Sequence, residues 1–314
     1  MHQPVLYKDI IHALQPHSEG KYVDGTVGAG GHASAILEAS NPDGQLLGLD
    51  VDPQALKIAR ERLAPFGMRV NLIQASYVTL ADQVAALKWT AVDGIVLDLG
   101  VSSMQLDTPE RGFSFREDAP LDMRFNPTQA GSATAADLVN TLPESELADL
   151  IYRYGEERHS RRVARAIVNA RPIHTTGRLA SVIKNVIRGG DQRHAAIHPA
   201  TRTFQALRIA VNSELDAVET VLPQAIQALI SGGRLAVIAF HSLEDRIVKE
   251  FFRRESRDCV CPPRQPVCMC SHKASIREIT RKPVQPSDEE IESNPRARSA
   301  RLRVAEKLQT VEKL

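Results

Sequence analysis

Apolar and polar positions follow two periods in turn over the first hundred residues. Lys21 to Val27 (KYVDGTV), Gln45 to Asp50 (QLLGLD), Val70 to Gln74 (VNLIQ) and Val92 to Leu99 (VDGIVLDL) are short, β-prone, mostly apolar runs. They read as largely buried strands. Between them the apolar positions take helical spacing over His32 to Ala39, Pro53 to Leu63 and Ala81 to Leu87, with a proline at the start of the second. Strands alternating with helices predict a parallel, doubly wound sheet, an α/β fold. The rhythm stops near Gln105. Gln105 to Pro127 is irregular, and helical spacing follows over Thr134 to Leu142, Glu144 to Tyr154, Ser160 to Asn169 and Arg178 to Arg188. It resumes with a helix over Arg202 to Leu229, a turn at Gly232 and Gly233, a strand over Arg234 to Phe240 and a helix over Leu243 to Arg254. Ser275 to Thr280 and Ala300 to Ala305 predict a closing strand pair, with a loop over Arg281 to Pro295. The pattern divides the chain into a sheet domain in two parts, 1–104 and 202–314, and a helical insertion, 105–201.

Composition adds bounds. With 314 residues, 43% of them apolar, the chain can bury a sizeable core, and a formal net charge of +1 marks it overall as neither strongly basic nor acidic. The start, MHQPVLYKDIIHAL, lacks the pattern of a signal peptide. No apolar run approaches the roughly 20 residues that span a bilayer. A soluble, cytoplasmic protein without a membrane partner is expected. The sequence does not fix the oligomeric state, a homodimer included.

The first candidate chemistry is the turn YVDGTVGAGGH, Tyr22 to His32. Glycine permits positive φ and lets backbone N–H groups face a ligand. A dinucleotide fingerprint needs G-x-G-x-x-G, and here Gly28, Gly30 and Gly31 are followed by His32, Ala33 and Ser34, so the third glycine is missing. Asp24 to Gly30 reads D-x-T-x-G-x-G, closer to the first motif of methyltransferases that use S-adenosylmethionine, with Thr26 where a glycine is usual. Asp50 stands at the end of the second strand, where a carboxylate accepts both hydroxyls of a ribose. It would equally serve as a cap for the helix at Pro53. Asp98 ends the fourth strand, where ligands bind in open α/β sheets, or is a solvated loop acid. Tyr77 follows the third strand, at the place for an adenine ring. Glycines at such a turn are also plain loop chemistry, but three features fall at three successive strand ends.

Beyond Asp98 the chain reads DLGVSSMQLD and ERGFSFREDAPLDMRF, then YGEERHSRRVARAIV, HPATRTFQALRIAVNSEL, GGRLAVIAFHSLEDRIVK and NPRARSARLRVAE. From about Pro4 to Glu306 the sequence resembles the bacterial 16S rRNA (cytosine-N4)-methyltransferase family, also called MraW. The resemblance implies a Rossmann-like class I S-adenosylmethionine-dependent methyltransferase sheet with an inserted helical domain. It implies S-adenosylmethionine as cofactor and a cytosine in the decoding centre of 16S rRNA, in the small ribosomal subunit, as acceptor. Carried over by position, Gly30, Gly31 and His32 would contact the cofactor at the turn, Asp50 its ribose and Tyr77 its adenine, where the family often has Phe. Asp98 and Gln105 would complete the set.

The exocyclic amine of cytosine is a weak nucleophile, because its lone pair is delocalised into the ring. Asp98, in DLGVSS, is the candidate to accept from that amine, although many amino-methyltransferases carry prolines and an aromatic there. Phe113, Phe115 and Phe240 are candidates to stack on the base. His241, after the strand Arg234 to Phe240, would take the released proton. Its alternative is structural, with Ser242 and Asp245 capping a helix.

Charge is uneven. Arg158 to Arg208 holds ten arginines and one lysine against one aspartate, a net +10 within a chain of net +1. A charge run is usually a solvated face, but this imbalance, on the insertion, points to RNA backbone, with Arg158, Arg161, Arg162, Arg165 and Arg202 as candidates. Finally, CVCPPRQPVCMC gathers all four cysteines, Cys259, Cys261, Cys268 and Cys270, within 12 residues. The spacing C-x-C-x6-C-x-C would wrap one tetrahedral Zn²⁺, although zinc sites more often use C-x2–4-C. Free or oxidisable loop thiols are the alternative.

Overall fold

Alternate residues of each strand enter opposite cores, and that alternation builds the sheet domain. The computed structural model describes residues 4–187, 198–262, 265 and 267–309. It divides into two compact units, 1–100 with 215–314, and 101–214. The first unit carries a seven-stranded sheet: β1 (Lys21–Asp24), β2 (Gln45–Asp50), β3 (Val70–Gln74), β4 (Val92–Asp98), β5 (Leu229–Ala239), β6 (Ile276–Glu278) and β7 (Arg301–Lys307). The strand order is β3-β2-β1-β4-β5-β7-β6. The first five strands run parallel, and β7 is antiparallel to both β5 and β6.

Before the second unit come α1 (Tyr7–Leu14), α2 (Gly31–Ala39), α3 (Pro53–Leu63) and α4 (Leu80–Ala86). The next helices in the chain are α5 (Ser103–Asp107), α6 (Ala135–Thr141), α7 (Glu144–Gly155), α8 (Ser160–Asn169), α9 (Thr176–Ile187) and α10 (Thr201–Asn212). The last three are α11 (Glu214–Ala228), α12 (Ser242–Glu255) and α13 (Asp288–Ser293). Val23, Leu47, Leu49, Ile95, Leu97, Leu235 and Val237 pack with Leu80, Leu222 and Phe252, on the face covered by α4, α11 and α12. Tyr22, Leu46, Val96, Ala236 and Ile238 pack with Ile10, Ile36 and Leu56, on the face covered by α1, α2 and α3. Period-two burial on both faces is what a helix-covered parallel sheet requires. The second unit is a separate helical core around Leu147, Ile151, Val163, Ile167, Leu179, Ile183, Phe204 and Leu207. Among the described residues no helix is long and apolar enough to cross a membrane.

The structure differs from the expected elements in four places. The helix expected over Arg202 to Leu229 is two helices, broken where Ser213 adopts a left-handed conformation and its N–H caps Ile209 O. Nothing in the residue type signals that break. With it, α10 falls in the helical unit rather than with the sheet. The expected loop over Arg281 to Pro295 contains α13, opened by Ser287, whose hydroxyl accepts from the Glu290 N–H. Serine ahead of acidic residues is a helix-start signal that the loop-like composition hid. The turn at Gly232 survives as a bulge: β5 starts at Leu229, and its register against β4 jumps from Val92↔Leu229 to Gly94↔Arg234. At the amino end, α1 forms although no helix was expected there.

Candidate active site

The strands β1, β2 and β4 each end on an aspartate, Asp24, Asp50 and Asp98. Strand order reverses between β1 and β4, and the carboxyl edge at such a switch point is where doubly wound sheets bind ligands. The glycine turn sits there. Gly28 has φ 51° and Gly30 φ 79°, conformations that side chains resist. Gly30 is the N-cap of α2, so the first N–H groups of that helix, from Gly31 and His32, lie at the turn.

Hydrogen bonds tie the turn to the neighbouring strand ends. The Gly28 N–H donates to Asp50 Oδ2 at 2.9 Å, and the Asp52 N–H to Asp50 Oδ1 at 2.9 Å. The cap of α3 is not Asp50 but Asp52, which accepts from the Gln54 N–H. Asp50 is therefore a clamp on the glycine turn with carboxylate lone pairs still to use. Thr26, anomalous in the motif, has its reason here: its hydroxyl accepts from the Asp98 N–H at 2.7 Å, and its own N–H donates to Asp24 Oδ1 at 3.1 Å. A glycine at this position would leave the Asp98 N–H without that acceptor.

Charge is concentrated at this edge. Asp24 is fully buried, and burial, opposed by His32 and reinforced by Asp98 and Asp50, raises its carboxyl to about 7. Burial, with Asp52 adding to it and backbone N–H groups opposing, raises Asp50 to about 6. His32 is buried in the first turn of α2, with Nε2 3.5 Å from Asp98 Oδ2. Burial disfavours its cation, but Asp98, then Asp24 and Glu290, outweigh that and hold it above its usual pKa. Asp24 Oδ2, Asp98 Oδ1 and both His32 ring nitrogens are buried with no hydrogen-bond partner among the described residues. The two carboxylate oxygens are buried acceptors without donors, which is costly. A cationic or N–H-bearing ligand would relieve that cost, and a phosphate would be repelled. Asp24 opens the motif, but nothing in its residue type or spacing marks this burial. Nor does the sequence mark Glu290 of α13, which accepts from the Leu6 N–H at 2.7 Å and faces His32 electrostatically.

Tyr77 begins a short 3₁₀ turn after β3, and its Cβ lies 3.3 Å from where a Cβ on Gly25 would stand. The turn residues, Asp50, Asp98 and Tyr77 are thus brought to one edge of the first unit. Gln105 belongs to the second unit, where its Oε1 accepts from the Ser102 N–H and closes the capping box of α5. His241 follows β5 at the same edge, and it differs from the expected cap: His241 itself is the N-cap of α12, paired with Glu244 rather than Ser242 with Asp245. Nδ1 accepts from the Glu244 N–H at 3.4 Å, and Nε2 lies 3.1 Å from Glu244 Oε1. Asp245 is spent elsewhere, on the Arg303 guanidinium at 2.6 Å.

Phe113 and Phe115 serve the second unit's core. Phe113 stacks on Phe125 at 5.7 Å between centroids, and Phe115 packs edge-on against Phe204 at 4.8 Å. Of the basic run, Arg158, Arg161, Arg162, Arg165, Arg178 and Arg202 are exposed. Arg161, Arg162 and Arg165 line an open depression with Asn169 and Val186. Arg171 is tied to Val139 O and Leu142 O, and Arg208 is paired bidentately with buried Glu214. Arg188 and Arg193 lie outside the described residues. The four cysteine sulfurs lie within 4.8 Å of one another.

The profile of the MraW methylase family matches residues 1–308. A protein of Dehalococcoides mccartyi named ribosomal RNA small subunit methyltransferase H is 54% identical over 98% of this chain and 86% of its own length. Proteins of the same name from Heliobacterium modesticaldum and Geobacter sulfurreducens are 52% and 54% identical, over 98% of this chain and 98% and 99% of their own lengths.

Proposed function

Because this chain belongs to the MraW methylase family and is a methyltransferase, we propose that it methylates the N4 amine of a cytosine in the decoding centre of small-subunit rRNA. The methyl donor is S-adenosylmethionine. The observation that carries the reading is the set of three strand-end carboxylates around the glycine turn, with Asp24 Oδ2 and Asp98 Oδ1 buried and unpartnered. That donor carries two cationic centres, an ammonium and a sulfonium, and its ribose offers two hydroxyls. It carries no phosphate, and so fits this acidic edge better than a nicotinamide dinucleotide, whose pyrophosphate would lie at the glycine turn.

In this reading Asp50 accepts from the ribose hydroxyls, Tyr77 flanks the adenine, and the amino end of α2 at Gly30, Gly31 and His32 packs on the methionine portion. Asp24 faces the cationic end. Asp98 accepts one N–H of the target amine, which favours the pyramidal geometry the lone pair needs for attack. The sulfonium supplies the leaving group, so the protein's task is alignment and charge. The methylated amine is cationic and sheds its proton readily, so no strong base is required. His241, with both ring nitrogens turned to Glu244, serves first to hold the start of α12. The exposed arginines of α8 supply phosphate contacts to the RNA.

The test is methyl transfer from labelled S-adenosylmethionine to small subunits from a strain lacking the enzyme, followed by mapping of the modified base. One N4-methylcytosine in the decoding centre is expected. A different base or ring position would overturn the reading.

Asp24 adds a pH dependence. Its raised pKa means that the stability it contributes is complete below the ordinary carboxylate value and is lost as pH rises through about 7. Binding a cation runs the other way, because it favours the ionised carboxylate. Affinity for S-adenosylmethionine is expected to rise about tenfold from pH 6 to pH 8, with a proton released on binding near pH 7. Calorimetry in two buffers of different ionisation enthalpy measures both. Flat affinity with no proton release would show that Asp24 does not face the ligand.

A further inference from the structure

Between the end of α12 and the start of β6 the chain makes a twenty-residue excursion, Ser256 to Ser275, in which no described residue is buried. Val260, Val267 and Met269 are exposed, at 40%, 70% and 79%. Such a segment has no apolar core to fix it, and small coreless elements are held by a staple, either disulfide or metal. Its base is closed: the Ser275 N–H donates to Glu255 O at 2.8 Å, and the Ser275 hydroxyl to Glu255 Oε2 at 3.0 Å. His272 and Ala274 bridge back to Arg257 O and Asp258 Oδ1. Beyond this base lie the four cysteines, whose sulfurs gather at one point.

We propose that Cys259, Cys261, Cys268 and Cys270 bind one structural Zn²⁺ as a tetrathiolate that staples this excursion. The four sulfurs converge within 4.8 Å, with Cys268 and Cys270 3.6 Å apart and Cys259 and Cys270 3.8 Å apart. Four thiolates at zinc–sulfur distances of about 2.3 Å in a tetrahedron stand about 3.8 Å from one another. Neither pair is at the sulfur–sulfur distance of a disulfide, about 2.05 Å, and all four cysteines are free. Two backbone N–H groups already point at sulfurs, Val260 to Cys270 and Met269 to Cys261, each at 3.4 Å. Donors of this kind stabilise the negative charge of a metal thiolate from outside the ligand shell. The metal's role is structural. Four protein ligands close the coordination sphere, and a closed zinc site has no open position for chemistry.

The test uses the full-length protein purified without chelator. Elemental analysis is expected to find one zinc per chain, released in full when a mercurial displaces the thiols. Replacing zinc with Co²⁺ is expected to give the thiolate charge-transfer and tetrahedral d–d absorption bands. Cys259→Ser together with Cys270→Ser is expected to reduce zinc to background and to open 256–275 to limited proteolysis. Calorimetry with S-adenosylmethionine shows that the variant's sheet unit is folded. Should the double variant prove insoluble, elemental analysis and cobalt spectra of the parent protein still decide. Four freely titrating thiols with no metal, a disulfide in the purified protein, or stoichiometric iron in place of zinc would each overturn the assignment.

Discussion

Asp98→Ala is expected to lower methyl transfer to small subunits by about a hundred- to a thousandfold, the usual effect of removing one oriented charge-assisted contact to reacting atoms. The expectation rests on placement. Asp98 ends β4 at the switch point; its backbone is fixed by the Thr26 hydroxyl, and Oδ1 is buried with no partner among the described residues. Its other oxygen is 3.5 Å from His32 Nε2, so the carboxylate is already oriented before substrate arrives. The loss should fall mainly on the maximal rate. If Asp98 mainly held the cofactor, the Kd for S-adenosylmethionine would rise instead, and saturating cofactor would restore the rate. Asp98→Asn separates charge from hydrogen bonding, because the amide keeps an acceptor of similar shape. Recovery of most of the rate by Asn would assign Asp98 to geometry, and a loss as deep as that of Ala would assign it to charge. A rate within a few-fold of the parent for Ala would remove Asp98 from the reaction. Removing this carboxylate also takes a like charge from Asp24, so the variant's cofactor binding should shift less between pH 6 and pH 8.

Much of this edge was legible in the sequence, because strand periodicity and terminal acids are local signals. β2, β3 and α3 fall on the residues the pattern predicts. Asp50 and Asp98 could be placed at strand ends from spacing alone. What was not legible depends on contacts far apart in the chain. Thr26 looked like a flaw in a glycine motif until its hydroxyl was found to accept from Asp98, 72 residues on. Asp24 lay within the strand expected over Lys21 to Val27, whereas β1 ends on it, and only burial beside two other carboxylates and an imidazole raises its carboxyl to about 7. His241 read as the acceptor of the released proton because its cap partner, Glu244, lay behind the more familiar Ser242 and Asp245 pattern. The break at Ser213 gave no signal, since a serine in a left-handed conformation carries no mark in sequence. The basic run was visible as a sum, but the sum overstated what faces solvent, because Arg171 and Arg208 are spent on carbonyls and on Glu214.

Replacing Arg161, Arg162 and Arg165 together with alanine is expected to weaken binding to small-subunit rRNA about a hundredfold at low salt. It should also reduce the slope of log affinity against log salt by about two to three, since each phosphate contact contributes about 0.7 to 0.9. All three side chains are exposed on α8, whose opposite face buries Val163, Ala164 and Ile167, so the substitutions leave the helical core intact. Alanine is the strongest helix former, and α8 should remain folded. The three are not equivalent. Arg165 shares its charge with exposed Glu144 at 3.2 Å, and Arg162 donates to Val186 O at 3.0 Å. Glu144 is a weak competitor for a phosphate, because exposed ion pairs contribute little, and the Val186 carbonyl carries no charge. Arg161, for which no such partner stands among the described residues, is expected to show the largest single effect. Arg208→Ala is not a control for charge, because it strips buried Glu214 of its guanidinium and acts on stability. Affinity for S-adenosylmethionine should not change in the triple variant, which separates RNA docking from the cofactor site. Unchanged affinity and an unchanged slope would mean that this depression faces away from the RNA, and the phosphate contacts would then have to lie elsewhere on the chain.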